Sequence, residues 1–314
     1  MPSVDERRHG RERPSGMRRP APLPPVLATR PFTVADAEHH GVTRARTRAN
    51  DLGSPFRGVR TATVPDDLEA LCHAYAARMP ATQYFSHSTG ALLWEIPLPR
   101  RLEAESLLHV SSAAGSQPPR IRGTVGHRGA RDAVIVRHRG LSVASPCDAW
   151  CQTVRLLSLD EAIIAGDRLV GWPRPLVTLG DLDLAIAAFG ARPGARRIAS
   201  ARTSIRERSA SARESRLRLV TMRGGFPEAE LNSAIALSSG RNTHGDLVYR
   251  RYKVLLEYDG EQHRLDGRQF ATDVNRLNDL SEDAWIVIRV GKHMSEREVL
   301  ARLERALSSR GWTR

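Results

Sequence analysis

Three carboxylates lie close together in the segment GDLVYRRYKVLLEYDGEQH, residues 245–263: Asp246, Glu257 and Asp259. The pattern of apolar and polar residues around them predicts a β-hairpin. A symmetric turn places Asp246 directly opposite Glu257, about 5 Å apart, and Asp259 lies on the same face two residues further on. Because like charges in opposition destabilise a sheet, we expect a proton, an arginine or a cation to neutralise them.

Two convergent carboxylates suit Mg²⁺ or Mn²⁺, since these hard cations take oxygen ligands. An ion bound there would polarise a phosphodiester and lower the pKa of its bound water. The spacing leaves a structural alternative open, in which Arg250, Arg251 or Arg276 neutralises the acids in an ion-pair cluster.

The strands that position these acids are predicted over residues 246–249 and 253–258, with the turn at residues 250–252. In this register Val248 faces Leu255. A slip of one residue would move every side chain to the other face of the sheet.

The chain from about residue 205 to 310 resembles the very-short-patch-repair-endonuclease-like branch of the PD-(D/E)XK nuclease superfamily. The matching pieces, in order, are ARESRLRLV, PEAELNSAI, the hairpin, FATDVNRLNDL and AWIVIRV. The resemblance implies a restriction-endonuclease-like core, which is a mixed sheet flanked by helices. It also implies metal-dependent hydrolysis of phosphodiester bonds.

The resemblance also implies roles for single residues. Asp246 and Glu257 match the metal-binding acids, and the backbone carbonyl of Tyr258 matches a further metal ligand. Asp259 stands where many members have a lysine, and His263 matches a histidine that is a candidate general acid or base. An aspartate cannot orient the water or stabilise negative charge as a lysine does, so whether the domain is an enzyme stays open.

Three more residues match the motifs, and each has a structural alternative. Glu214 matches the acidic residue of the first helix and a catalytic role, but with Ser211 it also fits a capping box. Asp273 and Arg276 match the D-x-x-R helix, and their spacing equally fits an ion pair within a helix.

Residues 31–65 fit a winged helix-turn-helix, a plan in which a basic second helix enters the major groove of DNA. The sequence predicts a helix near 33–40, a turn at Gly41, a second helix from Thr43 and a short strand within 55–62 as the wing. The expected DNA contacts on the second helix are Arg44, Arg46 and Arg48.

The N-terminal two thirds resembles the antitoxin of abortive-infection type IV toxin–antitoxin systems. The stretches that carry this resemblance are FTVADAEHHGVTRARTRANDLGSPFRGVRTA, FSHSTGALLWEIPLP and GLSVASPCDAW. The resemblance implies a DNA-binding transcriptional repressor, with a cognate toxin as a possible partner. Actinobacterial proteins that join such a module to a nuclease-like domain have this layout. The histidines of this region, interpreted as structural or surface residues because their spacing is not ligand-like, are His87, His109, His127 and His138.

The net charge of +13 favours a polyanionic partner. We expect DNA, although charge does not distinguish DNA from RNA. Nine arginines fall between residues 192 and 218. Two of them, Arg213 and Arg216, are predicted DNA contacts, together with Arg276 further along the chain. Codon bias in a GC-rich genome is the alternative explanation of so many arginines.

No apolar run approaches the ~20 residues needed to cross a bilayer, so no membrane partner is expected. The cysteines Cys72, Cys147 and Cys151 lack a companion pair with zinc-site spacing. We interpret them as buried free thiols in a reducing cytoplasm.

The sequence thus predicts an α/β (α+β) protein with four parts. They are a disordered basic tail over residues 1–30, the winged helix-turn-helix over 31–65, a middle α/β antitoxin-like domain over 66–205 and the restriction-endonuclease-like domain over 206–314. The expected function is DNA binding with a Mg²⁺-dependent endonuclease-like domain. The alternative is an antitoxin-type regulator whose nuclease fold is catalytically degenerate.

Overall fold

The structure is a computed structural model that describes residues 20–259 and 267–314, with the backbone alone for residues 267–271. The chain divides into two compact units, Met1–Met79 and Pro80–Arg314. Helices and strands are interspersed along it, and two of its sheets are mixed, so the predicted α/β class is confirmed. None of the described helices is long and apolar enough to cross a membrane.

The first unit is a small module held together by a buried cluster of Leu27, Phe32, Ala37 and Val42. Its elements are α1 (Pro25–Ala28), β1 (Phe32–Thr33), α2 (Val34–His39), a 3₁₀ turn (Arg46–Arg48), β2 (Val59–Arg60) and α3 (Leu68–Ala76). The strands β1 and β2 pair antiparallel.

The structure corrects the predicted limits of this unit. Residues 1–19 of the expected disordered tail lie outside the described residues, but the tail does not extend to residue 30, because α1 is helical and Leu27 is fully buried. At the other end, α3 belongs to the first unit, and the ring of Tyr75 packs edge-on against Phe56 with centroids 5.2 Å apart. The predicted boundary at residue 65 is therefore too early.

The predicted second helix from Thr43 is also wrong, since only the 3₁₀ turn Arg46–Arg48 forms. The carbonyl of Thr47 would accept a hydrogen bond from the next helical turn. Here Arg60 on β2 donates its Nε–H to that carbonyl, and Ala49 is already extended. The competing bond ends the helix after one turn.

The second unit begins with a five-stranded mixed sheet in the order β5-β4-β3-β7-β6. Its strands are β3 (Gln83–Phe85), β4 (Leu108–Ser112), β5 (Thr124–Arg128), β6 (Ile135–His138) and β7 (Leu141–Ala144). The strands β4 and β5 run parallel, as do β3 and β7. Its helices are α4 (His87–Leu93), α5 (Arg100–Glu103), α6 (Pro146–Thr153), α7 (Leu159–Val170), α8 (Leu179–Phe189) and α9 (Ala195–Arg202).

These helices pack around Trp150 of α6, which is fully buried and donates its indole N–H to the carbonyl of Ala162 at 3.0 Å. The predicted free thiols are confirmed, because Cys72, Cys147 and Cys151 are all buried and unbridged.

The second unit continues into a four-stranded mixed sheet in the order β11-β10-β9-β8. Its elements are α10 (Ala212–Arg223), β8 (Glu230–Ala236), β9 (Asn242–Tyr249), a 3₁₀ turn (Arg250–Tyr252), β10 (Val254–Tyr258), α11 (Gly267–Glu282), β11 (Ile286–Val290) and α12 (Glu296–Ser308). The strands β9 and β10 are antiparallel, whereas β10 and β11 are parallel.

Helices cover both faces of this sheet. On one face Leu217 of α10 and Leu303 of α12 join a buried cluster with Leu256. On the other face Leu280 of α11 packs with Leu255 in a second cluster. Because side chains alternate along a strand, the acids at the ends of β9 and β10 share the α11 face with Leu255.

Candidate functional site

The α11 face of the sheet ends in an acidic pocket of about 240 Å³. Its lining includes Asp246, Glu257, Asp259 and Asp273. We call this the acidic pocket. The structure thus brings Asp246, Glu257 and Asp259 together, whereas His263 lies outside the described residues and Glu214 does not line the pocket.

The hairpin register that positions these residues is confirmed, with Val248 opposite Leu255. Gly245 lets the strands approach at this end, because a Cβ there would lie 2.2 Å from Cδ1 of Leu255. Beyond the last paired residues Asp246 turns its carboxylate to the partner strand, and its Oδ2 accepts the N–H of Tyr258 at 2.8 Å. The backbone of β10 therefore holds the Asp246 carboxylate in place.

Asp246 is a partly buried acid among other acids. Its pKa is raised to about 7, chiefly by burial and then by the charges of Glu214 and Glu257. The Tyr258 N–H and the charge of Arg276 oppose this rise. The ionised form is therefore disfavoured, and a cation placed in the acidic pocket would relieve that cost.

Glu257 already has a cationic partner, since Arg276 of α11 contacts both of its oxygens. The same guanidinium donates to Thr243 Oγ1 at 2.6 Å and to the carbonyl of His244 at 2.8 Å. These contacts tie α11 to the hairpin. The donors of Arg276 are directed into the protein, and its role as a DNA contact stays a prediction. The structural alternative, with Arg276 neutralising an acid, is confirmed for Glu257.

Asp259, at the position of the motif lysine, is paired with Arg289 of β11, whose Nη2 lies 3.1 Å from Asp259 Oδ2. The parallel register sets Arg289 opposite Glu257, so it lies on the face that carries the acids. Arg289 is a residue of the site that was not predicted from the sequence. The signal was one arginine within the apolar strand IVIRV.

Glu214 is buried, and both of its carboxylate oxygens accept hydrogen bonds from neighbouring residues. Its Oε2 accepts the Ala210 N–H at 2.9 Å and Asn232 Nδ2 at 2.7 Å, and its Oε1 accepts the Ser211 hydroxyl at 2.9 Å. These contacts cap α10 and join it to β8. Glu214 lies outside the lining of the acidic pocket, its charge helps to raise the pKa of Asp246, and its catalytic role stays a prediction.

A second pocket, of about 510 Å³, adjoins the same strand and is lined by Arg213, Arg216, Lys292 and Tyr258 among others. We call it the basic pocket. The guanidinium of Arg213 lies over the Tyr258 ring at 4.9 Å and donates to its hydroxyl at 2.7 Å. Arg216 pairs with Glu296 at 2.9 Å. Both arginines are exposed, as a nucleic-acid contact requires.

The predicted DNA contacts of the first unit differ among themselves. Arg46 binds both oxygens of Asp51, at 2.9 and 2.8 Å, and its side chain is 11% exposed. Arg44 pairs with Glu38, whereas Arg48 is exposed. With the short 3₁₀ turn in place of a helix, the three do not form the expected basic helix face.

No family model matches this chain, and no match to it was found among curated proteins or among solved structures. The two resemblances given by the sequence therefore stay predictions, and the function rests on the geometry of the site.

Proposed function

We propose that this chain is a DNA-binding protein whose C-terminal part is a Mg²⁺-dependent, endonuclease-like phosphodiester hydrolase. The observation that carries the proposal is Asp246, a partly buried carboxylate with its pKa raised to about 7 in a pocket shared with three further acids. Such a group is typical of a site that is completed by a cation.

The residues of the acidic pocket fit Mg²⁺ in part. Asp246 would hold the ion together with Glu257 and the carbonyl of Tyr258. When bound, Mg²⁺ would polarise a phosphodiester and supply a water of lowered pKa. Glu257 would have to share or leave Arg276, and Arg289 would place positive charge where the motif lysine is missing.

The net charge of +13 and the basic pocket support a nucleic-acid partner. Arg213 and Arg216 would contact phosphates next to the acidic pocket. Three buried free thiols suit a reducing compartment, so we place the protein in the cytoplasm.

A second candidate is a DNA-binding regulator of the antitoxin type whose nuclease fold has lost activity. The observation in its favour is that Glu257 and Asp259 each face an arginine, Arg276 and Arg289. Two internal ion pairs would keep such a pocket stable without any metal.

The test is plasmid nicking with Mg²⁺ or Mn²⁺, run beside a binding assay on the same DNA. The variants are Asp246→Asn and Glu257→Gln. Glu230→Gln is the matched control, since Glu230 lies on the same sheet, outside the acidic pocket, and also pairs with an arginine, Arg250.

Metal-dependent nicking that both pocket variants lose and the control keeps would support the nuclease. An inert wild type that still binds DNA would support the regulator. Nicking that survives Asp246→Asn would show that the chemistry lies elsewhere. A parallel assay on single-stranded RNA tests the other polyanion.

A further inference from the structure

Three histidines of the five-stranded sheet converge, although they are far apart in sequence. One ring nitrogen from each of His87, His109 and His127 lies within 4.8 Å of the other two. They form the one such three-ligand cluster in the part of the chain that the structure describes. We call them the histidine triad.

The sheet topology explains the convergence. The parallel pairing of β4 with β5 sets Ser111 opposite His127. His109 is two residues from Ser111, so both histidines lie on one face of the sheet. His87 is the first residue of α4, which follows β3, the strand on the other side of β4. Linear spacing could not show this arrangement.

His87 is held in an uncommon backbone conformation, with a φ of 51°. A non-glycine residue in this region stores strain, and such residues concentrate at functional sites. Its N–H donates to Gln152 Oε1 at 3.1 Å, and its Nδ1 lies 3.0 Å from the hydroxyl of Ser86. These contacts fix the ring, which stacks on His127 with centroids 3.7 Å apart.

A carboxylate lies close to the ring of His109, whose buried Nε2 makes no hydrogen bond with any residue that the structure describes. Glu105 Oε2 lies 3.3 Å from its Nε2, and its Nδ1 lies 3.0 Å from Nε2 of His127. With the proton on Nε2, the lone pair of Nδ1 is directed into the triad. A carboxylate behind a histidine in this way is the usual outer contact of a metal-ligating imidazole.

Two members of the histidine triad, His87 and His127, are uncharged near neutral pH. Burial, the neighbouring histidines and Arg155 lower the pKa of His87 to about 2 and that of His127 to about 4. Neutral imidazole is the form that binds metal. His87 and His127 are only half-buried, which leaves a path for an ion.

We propose that His87, His109 and His127 bind one Zn²⁺ ion, with Glu105 as the carboxylate that positions His109. Three imidazoles and an open fourth position form a known zinc arrangement, whereas Mg²⁺ prefers oxygen ligands. Nitrogens that share a tetrahedral zinc at 2.0–2.1 Å lie about 3.3 Å apart. The ring nitrogens now lie within 4.8 Å of one another, and the stacked rings of His87 and His127 would have to rotate to share one ion. Arg155 opposes a bare cation, so the fourth ligand is expected to be an anion.

The test is metal binding by the full, tag-free chain. After chelation and gel filtration, the protein is titrated with Zn²⁺ and separately with Co²⁺, whose visible absorption reports imidazole ligation. We expect one ion per chain and a rise in melting temperature with Zn²⁺. His127→Gln should abolish the Co²⁺ spectrum, and Glu105→Gln should weaken affinity by about 10–100-fold.

Two controls separate this site from the acidic pocket and from other histidines. His293→Gln removes an exposed histidine from the same unit and should bind Zn²⁺ like wild type. Asp246→Asn should also keep the zinc, so the two metal proposals fail independently. Circular dichroism checks that each variant is folded. A folded wild type that binds no Zn²⁺ would overturn the proposal, as would a Co²⁺ spectrum unchanged in His127→Gln, and the triad would then be a hydrogen-bonded histidine network only.

Discussion

Asp167 on α7 and Arg218 on α10 form a buried ion pair, with Oδ2 and Nη2 2.9 Å apart and side chains only 1% and 2% exposed. Asp167 also accepts the N–H of Arg206 at 2.8 Å, and Arg218 donates to the carbonyl of Ser204 at 2.9 Å. The pair joins helices that the sequence analysis assigned to different domains. No boundary therefore falls at residue 205, and Pro80–Arg314 is one compact unit.

Removing one partner of this pair should destabilise the whole second unit. Arg218→Met leaves the Asp167 charge buried, and we expect a loss of about 3–5 kcal/mol in the free energy of unfolding. Adding Asp167→Leu to Arg218→Met should recover part of the lost free energy of unfolding. The measurement is urea denaturation. Arg202→Met, which breaks an exposed pair with Asp183, is the control and should cost less than about 1 kcal/mol. Equal losses in both single variants would contradict the prediction.

The raised pKa of Asp246 predicts a pH dependence of stability. Its folded-state pKa is about 7 against an ordinary 3.8, so the folded protein holds a proton that the unfolded chain releases in this interval. The stability that this carboxyl contributes is present below pH ~4 and is lost as pH rises through ~7. In the presence of chelator, the free energy of unfolding of Asp246→Asn relative to that of wild type should therefore rise between pH 4.5 and pH 8, by on the order of 1–3 kcal/mol.

Urea denaturation at the two pH values measures this difference. Glu230→Gln should show the opposite and smaller trend, because Arg250 lowers the pKa of that exposed acid. Adding Mg²⁺ at pH 8 should restore the free energy of unfolding of wild type but should not raise that of Asp246→Asn. Parallel profiles for wild type and Asp246→Asn would contradict the expectation.

Freeing Glu257 should strengthen binding of a cation in the acidic pocket. Arg276→Met removes its partner and should cost about 2–4 kcal/mol in chelator, because a half-buried carboxylate is left unpaired. Mg²⁺ should then raise the melting temperature of Arg276→Met more than that of wild type. In the double variant with Glu257→Gln this extra response should vanish. Thermal melts with and without Mg²⁺ decide the matter, and an identical Mg²⁺ response in all three proteins would argue against an ion at Glu257.

The histidine triad predicts sensitivity to acid. His87 and His127 stay neutral in the folded chain, whereas their unfolded forms take up protons near pH 6.5. Stability is complete above pH ~6.5 and falls as pH drops, by at most about 1.4 kcal/mol per pH unit for each histidine. The charged group that acts on both is Arg155, which opposes their protonation, and Glu105 lies beside His109. The double variant His87→Gln/His127→Gln should have a flatter stability profile between pH 7.5 and 5, and an unchanged slope would contradict this.

The basic pocket predicts a salt-dependent contact with DNA. Arg213→Ala and Arg216→Ala should each weaken binding and reduce the slope of log K against log salt by about 1. Arg302→Ala is the control, since Arg302 is also an exposed arginine and is engaged with Glu298 on α12. Fluorescence anisotropy over a salt series measures the slopes. If both pocket variants show the slope of wild type, the basic pocket is not part of the DNA interface.

The hairpin could be predicted because its information is local. Alternating apolar residues and a symmetric turn fix the register, so Asp246 and Glu257 fall at the same end of the sheet. Their partners could not be predicted, because Arg276 and Arg289 arrive from α11 and β11 through tertiary packing.

The same limit applies to two further features. The residues after Thr43 have acceptable helix propensity. However, the pairing of β1 with β2 brings the guanidinium of Arg60 near, and it donates to a carbonyl that would accept a hydrogen bond within a longer helix. The histidine triad has no linear motif, because the parallel pairing of β4 with β5 is what places His127 beside His109.

Tyr258 lines both the acidic and the basic pocket, but it serves them with different parts of itself. Its ring stacks under Arg213, whereas its backbone N–H holds Asp246 and its carbonyl is the expected metal ligand. Apart from proline, which lacks the N–H, no replacement removes those main-chain groups. A saturation scan at position 258 would therefore report mainly on the ring. Tolerance of substitutions there would not reveal that the backbone of this residue is one of the most constrained points of the pocket.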